Sequence, residues 1–306
     1  MKTERNKMKR LFITGSESYV GKQLIHRCRA NGIPYIGIDQ VPPSQPDCHQ
    51  ADLRDPALGD LLTPKVDTVV HLAAISRDHD CAAAVTDCFD VNVGGTLNLL
   101  HTAQKAGSEQ FIFASTEWVY DACRTTAEID EKTPIELHDI TSEYALSKLV
   151  SEVNLKQAFQ KGGCDTAILR FGIIYGPRLQ NWSAVESITN TVREQSEVTV
   201  GSLQTGRKFI HVEDIVSAAL AVRGLAGFHI LNIVGPKLVT LQDIITSASS
   251  HLGKKVTVSE MDPANASIRR ISGHKARETV GFTPQVDIHE GIGTVLRHIE
   301  DHQAEE

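Results

Sequence analysis

The first half of the chain alternates short apolar runs with longer stretches of helical periodicity. Apolar runs bounded by polar turns predict strands, at 11–14, 35–39, 68–74 and 111–115. Apolar residues three or four positions apart predict helices, from Val20, near 82–106 and at 142–161. Because strands that alternate with helices pair in parallel, we expect an α/β fold with a doubly wound parallel sheet.

The pattern loosens after Tyr175-Gly176-Pro177. The run 166–171 predicts the last strand of the first lobe, and the remainder mixes short strands with helices. The final helix is predicted to be amphipathic, with four apolar residues on one face: Ile288, Ile292, Val295 and Ile299. We expect a larger domain over 1–175, to which 209–235 returns, and a smaller C-terminal α/β lobe over 176–306.

Length and charge narrow the function classes. The chain has 306 residues and a net charge of −7, from 31 basic and 38 acidic side chains. Duplex nucleic acid and anionic membranes need concentrated Lys and Arg, which the sequence lacks, so neither is expected as a partner. No apolar run approaches the roughly 18–20 residues that span a bilayer. We expect a cytoplasmic protein that binds a small molecule.

The six cysteines are scattered and form no close Cys-x-x-Cys pair. In a chain of this length they indicate free thiols in a reducing compartment. His79, Cys81 and Cys88 lie close in sequence, but their spacing matches no common zinc pattern. No metal site is therefore expected.

The first predicted strand and helix are joined by Thr-Gly-Ser-Glu-Ser-Tyr-Val-Gly at 14–21. Glycines at such a turn let the backbone approach a phosphate and let the helix pack on the strand, while the helix N-terminus attracts the anion. Gly15 and Gly21 fit this arrangement for a dinucleotide pyrophosphate. Two glycines alone also fit a tight turn without a ligand.

Asp39 closes the second predicted strand, 39 − 15 = 24 residues after Gly15. A carboxylate about 20 residues after the first glycine binds the adenosine ribose diol in dinucleotide-binding folds. The next residue, Gln40, is uncharged, and no Arg stands beside Asp39 to accept a 2′-phosphate. The sequence therefore favours NAD over NADP, with a turn-capping Asp39 as the alternative.

With these residues the chain resembles the extended short-chain dehydrogenase/reductase superfamily, in particular the NAD-dependent epimerase/dehydratase family that acts on nucleotide sugars. Six further motifs carry the resemblance: ADLRD at 51–55, HLAA at 71–74, NVGGT at 92–96, FASTEWVY at 113–120, YALSK at 144–148 and LRFGIIYGP at 169–177. It implies that 1–175 is an NAD-binding Rossmann domain and 176–306 the substrate-binding lobe.

The resemblance also assigns cofactor contacts. Asp52 and Leu53 would contact the adenine, and Ala73 and Asn92 would line the cofactor. The whole set implied is Gly15, Ser18, Tyr19, Val20, Gly21, Asp39, Asp52, Leu53, Leu72, Ala73, Ala74, Asn92, Tyr144 and Lys148. One position departs from the family, because the middle of its three loop glycines is Ser18 here, and a Cβ at that point would crowd the pyrophosphate.

Tyr144 and Lys148 are four residues apart in a predicted helix, so both project from one face. A nearby ammonium and the positive nicotinamide stabilise a phenolate, so Tyr144 could accept a hydroxyl proton. A Tyr-x-x-x-Lys pair alone is also common on surface helices. The resemblance implies that the two form a catalytic triad with Thr116, which hydrogen-bonds the substrate hydroxyl.

The residues after Thr116 refine the reaction. In family members that dehydrate at C4 to C6, two acids follow the Thr, but here Trp118 occupies the second position. Without a carboxylate there the sugar C5 proton has no evident base, so epimerisation or simple oxidation is favoured over dehydration and decarboxylation. Glu117 is expected to act as an acid or a hydrogen-bond partner of the sugar, with a solvated or helix-capping carboxylate as the alternative.

Three residues of the second lobe are candidates for substrate binding. Arg207 resembles the family's Arg that grips the substrate diphosphate, and a guanidinium fork suits that group. Arg270 is a candidate second clamp or a surface residue, and Trp182 is predicted either to stack on the nucleotide base or to pack in the core. The Asn expected before Tyr-Gly-Pro is replaced by Ile173.

Taken together, the residues and the resemblance predict an NAD-dependent nucleotide-sugar epimerase. It would oxidise sugar C4 transiently to a 4-keto intermediate and return hydride to the opposite face. The alternatives are an NAD-dependent dehydrogenase of a small sugar or alcohol that releases NADH, and a non-catalytic NAD-binding regulatory protein. The resemblance further suggests a homodimer through the helices near 82–106 and 142–161.

Overall fold

The computed structural model describes residues 9–62, 66–123 and 127–303. They form two compact units. The first comprises the described residues of Met1–Cys123, Pro134–Arg170 and Ala218–Leu231, and the second those of Arg124–Thr133, Phe171–Ser217 and Asn232–Glu306. The sequence predicted a first domain over 1–175, to which 209–235 returns. In the structure the described part of Arg124–Thr133 belongs to the second unit, and the segment that returns to the first unit is only Ala218–Leu231.

The strands, in chain order, are β1 Leu11–Thr14, β2 Tyr35–Asp39, β3 Cys48–Gln50, β4 Thr68–His71, β5 Gln110–Thr116, β6 Asp165–Phe171, β7 Ile174–Tyr175, β8 Glu197–Val200, β9 Gly206–Arg207, β10 Ile210–His211, β11 Phe228–Ile233, β12 Val239–Thr240 and β13 Thr257–Glu260. Seven of them form one sheet in the order β11-β6-β5-β4-β1-β2-β3. This is the predicted doubly wound parallel sheet, and the α/β fold class is confirmed.

The α-helices are α1 Tyr19–Ala30, α2 Asp78–Ala83, α3 Val85–Phe89, α4 Thr96–Lys105, α5 Glu143–Gln160, α6 Ala184–Glu194, α7 Val212–Ala221, α8 Leu241–Leu252, α9 His274–Val280 and α10 Ile288–Gln303. Short 3₁₀ turns lie at Pro56–Leu62, Glu117–Tyr120 and Leu137–Asp139, and a π-helical turn spans Asp90–Gly95. No helix within the described residues is long and apolar enough to cross a membrane.

The central strands are buried on both faces because helices cover both sides of a parallel sheet. Every residue of β1, β4 and β5 is buried. The predicted strand at 68–74 ends earlier, at His71, where the backbone leaves β4 and Leu72 N donates to Thr14 O at 3.2 Å. The carboxyl ends of β1 and β4 therefore meet, which is where ligands bind in such sheets.

The helix predicted near 82–106 is broken into pieces in the structure. Ala84, with φ −141° and ψ 67°, separates α2 from α3. The π-helical turn then joins α3 to α4 and places Asn92 in the interior, where it is 1 % exposed. A π turn inserts one extra residue and rotates the following side chains, which the apolar periodicity does not reveal.

The second unit has its own core. Helices α6, α8 and α10 pack against one another, and β8 pairs with β13 in parallel. The predicted apolar face of the last helix is confirmed, since all four of its residues are buried: Ile288, Ile292, Val295 and Ile299. Ile173, which stands where the family was expected to have Asn, packs against this same apolar cluster.

Candidate active site

The turn from β1 to α1 depends on two glycines. Gly15 has φ +71°, and a Cβ there would lie 2.8 Å from Ala73 N. A Cβ at Gly21 would lie 2.0 Å from the carbonyl oxygen of Gly15. Both positions therefore exclude any side chain, so the strand, the helix and the loop after β4 approach one another closely.

Ser18 fits this turn without backbone strain. Its φ is −67°, and its hydroxyl accepts a hydrogen bond from Gly21 N at 3.1 Å as the N-cap of α1. The hydroxyl thus satisfies one of the N–H groups that a helix leaves unpaired at its start. The turn therefore accommodates serine in place of the expected glycine.

A cavity of about 330 Å³ opens at the carboxyl ends of β1, β2 and β4. Eight of the predicted cofactor residues line it: Gly15, Ser18, Asp39, Asp52, Leu53, Leu72, Ala73 and Ala74. Tyr19, Val20 and Gly21 form the first turn of α1 behind the loop and do not line the cavity. The residues present fit a dinucleotide, because the glycine cradle leaves room beside a helix N-terminus and a carboxylate stands at the end of β2.

Asp39 caps a turn, which was the alternative that the sequence left open, and it also lines the cavity. One carboxylate oxygen accepts from Glu17 N at 2.9 Å and the other from Val41 N at 3.3 Å. It therefore caps the turn after β2 and also borders the cavity. Glu17, which the motif analysis passed over, lines the cavity beside it.

Asp52 is held by a neighbour that sequence analysis did not single out. Arg54 donates to both carboxylate oxygens, with its Nη2 nitrogen 2.6 Å from Oδ2. These hydrogen bonds from Arg54 hold the pKa of the Asp52 carboxyl below its ordinary value. Asp52 is thus ionised and fixed in orientation at the edge of the cavity.

Asn92 does not line the cavity; it braces the loop that does. Its amide oxygen accepts from Ile75 N at 2.8 Å, and its amide nitrogen donates to Ile75 O at 2.9 Å. The same nitrogen donates to Ser147 Oγ at 3.0 Å. Asn92 therefore ties the loop after β4 to α5, and Ile75 is the residue that reaches the cavity.

The predicted triad converges at the end of β5. Thr116 is 6 % exposed, and its hydroxyl accepts from Trp118 N at 3.2 Å. Tyr144 and Lys148 lie one turn apart on α5, as predicted. The ammonium of Lys148 is buried, donates to Ala114 O at 2.9 Å and lies 4.7 Å from the centroid of the Phe113 ring.

The pKa values of Tyr144 and Lys148 are shifted in opposite directions. Burial raises the pKa of the Tyr144 phenol well above its ordinary value, the nearby Cys81 raises it further, and the Thr116 side chain lowers it. Burial lowers the pKa of Lys148 to about 8. The protein alone therefore keeps Tyr144 protonated, and phenolate formation has to draw on added positive charge, as from a nicotinamide.

A buried ion pair lies one turn beyond Lys148 on the same helix. Arg170 at the end of β6 donates to both oxygens of Glu152, at 3.0 and 2.6 Å, and also to Tyr120 Oη at 2.6 Å. Ser115, next to Thr116, donates its hydroxyl to Glu152. This network ties α5 to β5 and β6 and so fixes the helix that carries Tyr144 and Lys148.

The candidate substrate residues of the second unit are engaged in local contacts. Arg207 donates to the carbonyl oxygen and the hydroxyl of Ser267, at 2.7 and 2.9 Å. Arg270 is exposed, and its carbonyl oxygen accepts from Ile129 N. Trp182 is 38 % exposed and donates to Arg178 O, so the expectation of core packing is wrong. Within the described residues no three potential metal ligands cluster together.

The sequence model of the NAD-dependent epimerase/dehydratase family matches residues 11–233. The chain belongs to this family. The match covers the whole glycine loop, the cavity and the triad, and the predicted family is confirmed.

Curated epimerases and reductases match almost the full length of the chain. A putative UDP-glucose 4-epimerase of Methanocaldococcus jannaschii is 26 % identical over 94 % of this chain and 97 % of its own length. A GDP-6-deoxy-D-mannose reductase of Pseudomonas aeruginosa is 27 % identical over 97 % of this chain and 99 % of its own length.

Among solved structures, the UDP-glucose 4-epimerase of Thermus thermophilus in complex with NAD superimposes with a TM-score of 0.80. It is 25 % identical and covers 95 % of this chain and 99 % of its own. Members of the epimerase/dehydratase family are NAD-dependent, so the predicted cofactor class is confirmed for the family.

Glu117 and Trp118 distinguish this family member at the triad. Glu117 is buried and begins the 3₁₀ turn after Thr116, so it is not the solvated carboxylate that the sequence allowed. Trp118 is 39 % exposed. Trp118 therefore places an indole ring where the resemblance implied an acid in dehydrating members.

Proposed function

We propose that this protein is an NAD-dependent epimerase of a nucleotide sugar. It acts through transient oxidation at sugar C4 and a 4-keto intermediate. The observation that carries the proposal is the cluster of Thr116, Tyr144 and Lys148 in the same unit as the cavity, with Trp118 in place of a second acid. A chain that can move a hydroxyl proton but has no base for a C5 proton suits epimerisation rather than dehydration.

In this proposal the cavity of the first unit holds NAD. The turn at Gly15 and the N-terminus of α1 face the pyrophosphate, and Asp39 binds the adenosine ribose. Asp52 and Leu53 border the adenine, and Ala73 borders the dinucleotide between its adenosine half and its nicotinamide half. The bound NAD supplies the hydride acceptor for sugar C4 and afterwards the hydride donor.

Tyr144 moves the proton in this scheme. In its phenolate form the Tyr144 oxygen would take the proton from the C4 hydroxyl as the carbonyl forms, and the resulting phenol would return that proton when the carbonyl is reduced. Thr116, which interacts with Tyr144, hydrogen-bonds the same sugar oxygen. The pKa of Lys148 is lowered to about 8 and its ammonium donates to Ala114 O, so at neutral pH it supplies positive charge and a donor for the nicotinamide ribose.

The sugar diphosphate is proposed to be held by the second unit. Arg207 would bind phosphate oxygens as a fork while it retains the Ser267 segment through its other nitrogen–hydrogen groups. Arg270 is proposed as a second cation, and Trp182 as a stacking surface for the base, which its exposure supports. Glu117 is proposed to contact the sugar.

A second candidate function is favoured by one comparison. The reductase of P. aeruginosa is as similar to this chain as the epimerase of M. jannaschii, at 27 % against 26 % identity. The same triad would then carry out net oxidation or reduction of a sugar. This second function also agrees with the apolar Ile173, which leaves one substrate contact fewer.

One experiment separates the two functions. Purified protein is incubated with a panel of UDP-, GDP- and dTDP-sugars and their 4-keto forms, and both NADH absorbance and product identity are followed. Interconversion of C4 epimers without net NADH supports the epimerase, whereas stoichiometric NADH change supports the dehydrogenase. Tyr144→Phe serves as the matched control, since it should slow any genuine turnover by roughly two orders of magnitude or more.

A further inference from the structure

Glu17 occupies an unusual position for a carboxylate. It lies inside the glycine loop, directly before Ser18, and its side chain is only 6 % exposed. Glu17 and Asp39 line the same cavity. Two carboxylates therefore border the part of the cavity where β2 ends.

The side chain of Glu17 is fixed by three contacts. One oxygen accepts from Ser44 N at 2.8 Å, and the other accepts from the Ser44 hydroxyl at 2.6 Å. The ammonium of Lys22 lies 3.2 Å from the second oxygen. Through these hydrogen bonds Glu17 connects the glycine loop to the loop that follows β2.

The backbone of the same residue contacts Asp39. Glu17 N donates to Asp39 Oδ2 at 2.9 Å. The pKa of Glu17 is lowered, because the bonds from Ser44 and the charge of Lys22 outweigh the burial that acts to raise it. Glu17 is therefore negative at neutral pH and held beside Asp39.

We propose that Glu17 is a second determinant of cofactor choice, which rejects a dinucleotide that carries a 2′-phosphate. The ribose 2′-oxygen is expected at Asp39, so a phosphate attached to it would enter a space bounded by two fixed carboxylates. Of the cations in this region, Lys22 pairs with Glu17, Arg54 pairs with Asp52, and Arg29 donates to the side chain of Gln45. A phosphate dianion there meets repulsion, which a neutral ribose hydroxyl escapes.

The consequence is that Asp39 alone does not set the preference for NAD. Removing the charge of Glu17 should relieve part of the repulsion and release Lys22 toward the phosphate. The effect on NAD itself should be small, because NAD has no charge at that point. This inference concerns cofactor binding and does not depend on which sugar reaction the protein catalyses.

The test is a binding measurement without sugar. Isothermal titration calorimetry of NAD and NADP is carried out on the wild type, on Glu17→Gln and on Glu17→Asp. Glu17→Gln should narrow the NADP-to-NAD ratio of Kd by roughly tenfold and change the NAD Kd by less than about threefold. Glu17→Asp keeps the charge and should keep the ratio within about threefold of wild type. Glu278→Gln, an exposed carboxylate of the second unit, is the matched control.

Two results overturn the proposal. One is a ratio that Glu17→Gln leaves unchanged, and the other is an equal change in Glu17→Asp and Glu17→Gln, which would mean that loop structure rather than charge is responsible. Glu17→Lys provides a second variant should Glu17→Gln fold poorly, and it should shift the ratio further in the same direction. Asp39→Asn is measured in parallel, so that the change in the NADP-to-NAD ratio of Kd caused by Glu17→Gln can be compared with the change caused by removing the charge of Asp39.

Discussion

The cofactor cradle of the first unit and the candidate substrate residues of the second unit rest on different kinds of contact. In the cradle, groups such as Gly15 and Asp39 border one cavity and owe their positions to strand ends that meet in a parallel sheet. In the second unit, Arg207 and Trp182 are held by local partners, Ser267 and Arg178. The comparison teaches that motifs can locate a cavity whose position is fixed by sheet topology, whereas the role of a side chain held by local partners has to be tested by substitution.

The largest effect is expected at the buried ion pair behind the triad. Arg170→Met leaves Glu152 as an uncompensated buried charge, so the free energy of unfolding should fall by about 3–5 kcal/mol. Adding Glu152→Gln should recover part of that loss. Urea unfolding of both variants checks this. Arg178→Met is the matched variant in the second unit, where Arg178 pairs with Glu186 but is 16 % rather than 4 % exposed.

A smaller loss from Arg170→Met than from Arg178→Met would break this part of the comparison. It would mean that the network of Glu152 and Arg170 is not what fixes α5.

Tyr144→Phe tests the chemistry of the first unit. Removal of the phenolic oxygen should slow turnover by roughly two orders of magnitude or more, because a positioned general base is lost, while NAD affinity and the unfolding midpoint stay near wild type. Steady-state kinetics and calorimetry measure these quantities. Tyr175→Phe removes a hydroxyl that donates to Asp287 O in the second unit, and it should not slow turnover to that extent. Near-normal turnover of Tyr144→Phe would refute the assigned base.

Arg207→Ala tests the substrate side. If Arg207 grips a diphosphate, kcat/KM for a nucleotide sugar should fall by an amount equivalent to about 1.5–3 kcal/mol, the range for a hydrogen bond to a charged group. Arg207→Lys should recover only part, since Lys lacks the fork. Ser267→Ala removes one local acceptor of Arg207 and serves as the control. Equal losses in Arg207→Ala and Ser267→Ala would show that Arg207 acts only by holding its segment.

The smallest effect concerns Lys148 and pH. Because the folded protein lowers the pKa of Lys148 to about 8, below its ordinary 10.5, burial of the charged amine costs stability at neutral pH. That cost should diminish as pH rises from about 8 to about 9.5, so wild type should gain about 1–2 kcal/mol relative to Lys148→Met over this range. Unfolding free energies at stepped pH values measure it, with the exposed Lys161→Met as control. A constant difference would contradict the lowered pKa.

Much of the first unit was predictable because its signals are local. The strands β1 and β2 have the predicted bounds, since each is an apolar run closed by a turn residue. The break at Ala84 and the π-helical turn around Asn92 were not predictable, because no glycine or proline marks the point where either begins. A continuous apolar periodicity concealed both.

In the candidate site, too, some residues follow from local sequence patterns and others do not. Gly15 and Asp39 follow from strand–turn–helix geometry, and Tyr144 and Lys148 from the pitch of one helix. The contact between Glu17 and Ser44 joins residues 27 positions apart, and that between Glu152 and Arg170 residues 18 apart. Such pairs depend on how segments distant in sequence pack together, so no local sequence pattern predicts them.

The three-part construction of the first unit also bears on synthesis by the ribosome. The residues that line the cofactor cavity all precede residue 92 and emerge early. The edge of the sheet emerges much later: Thr166 N donates to Gly227 O, and the buried amide of Gln110 donates to Val222 O. A nascent chain that ends before Ala218 has every glycine of the cradle but leaves these polar groups without their partners, so the cradle's scaffold reaches its final stability only after most of the chain has been made.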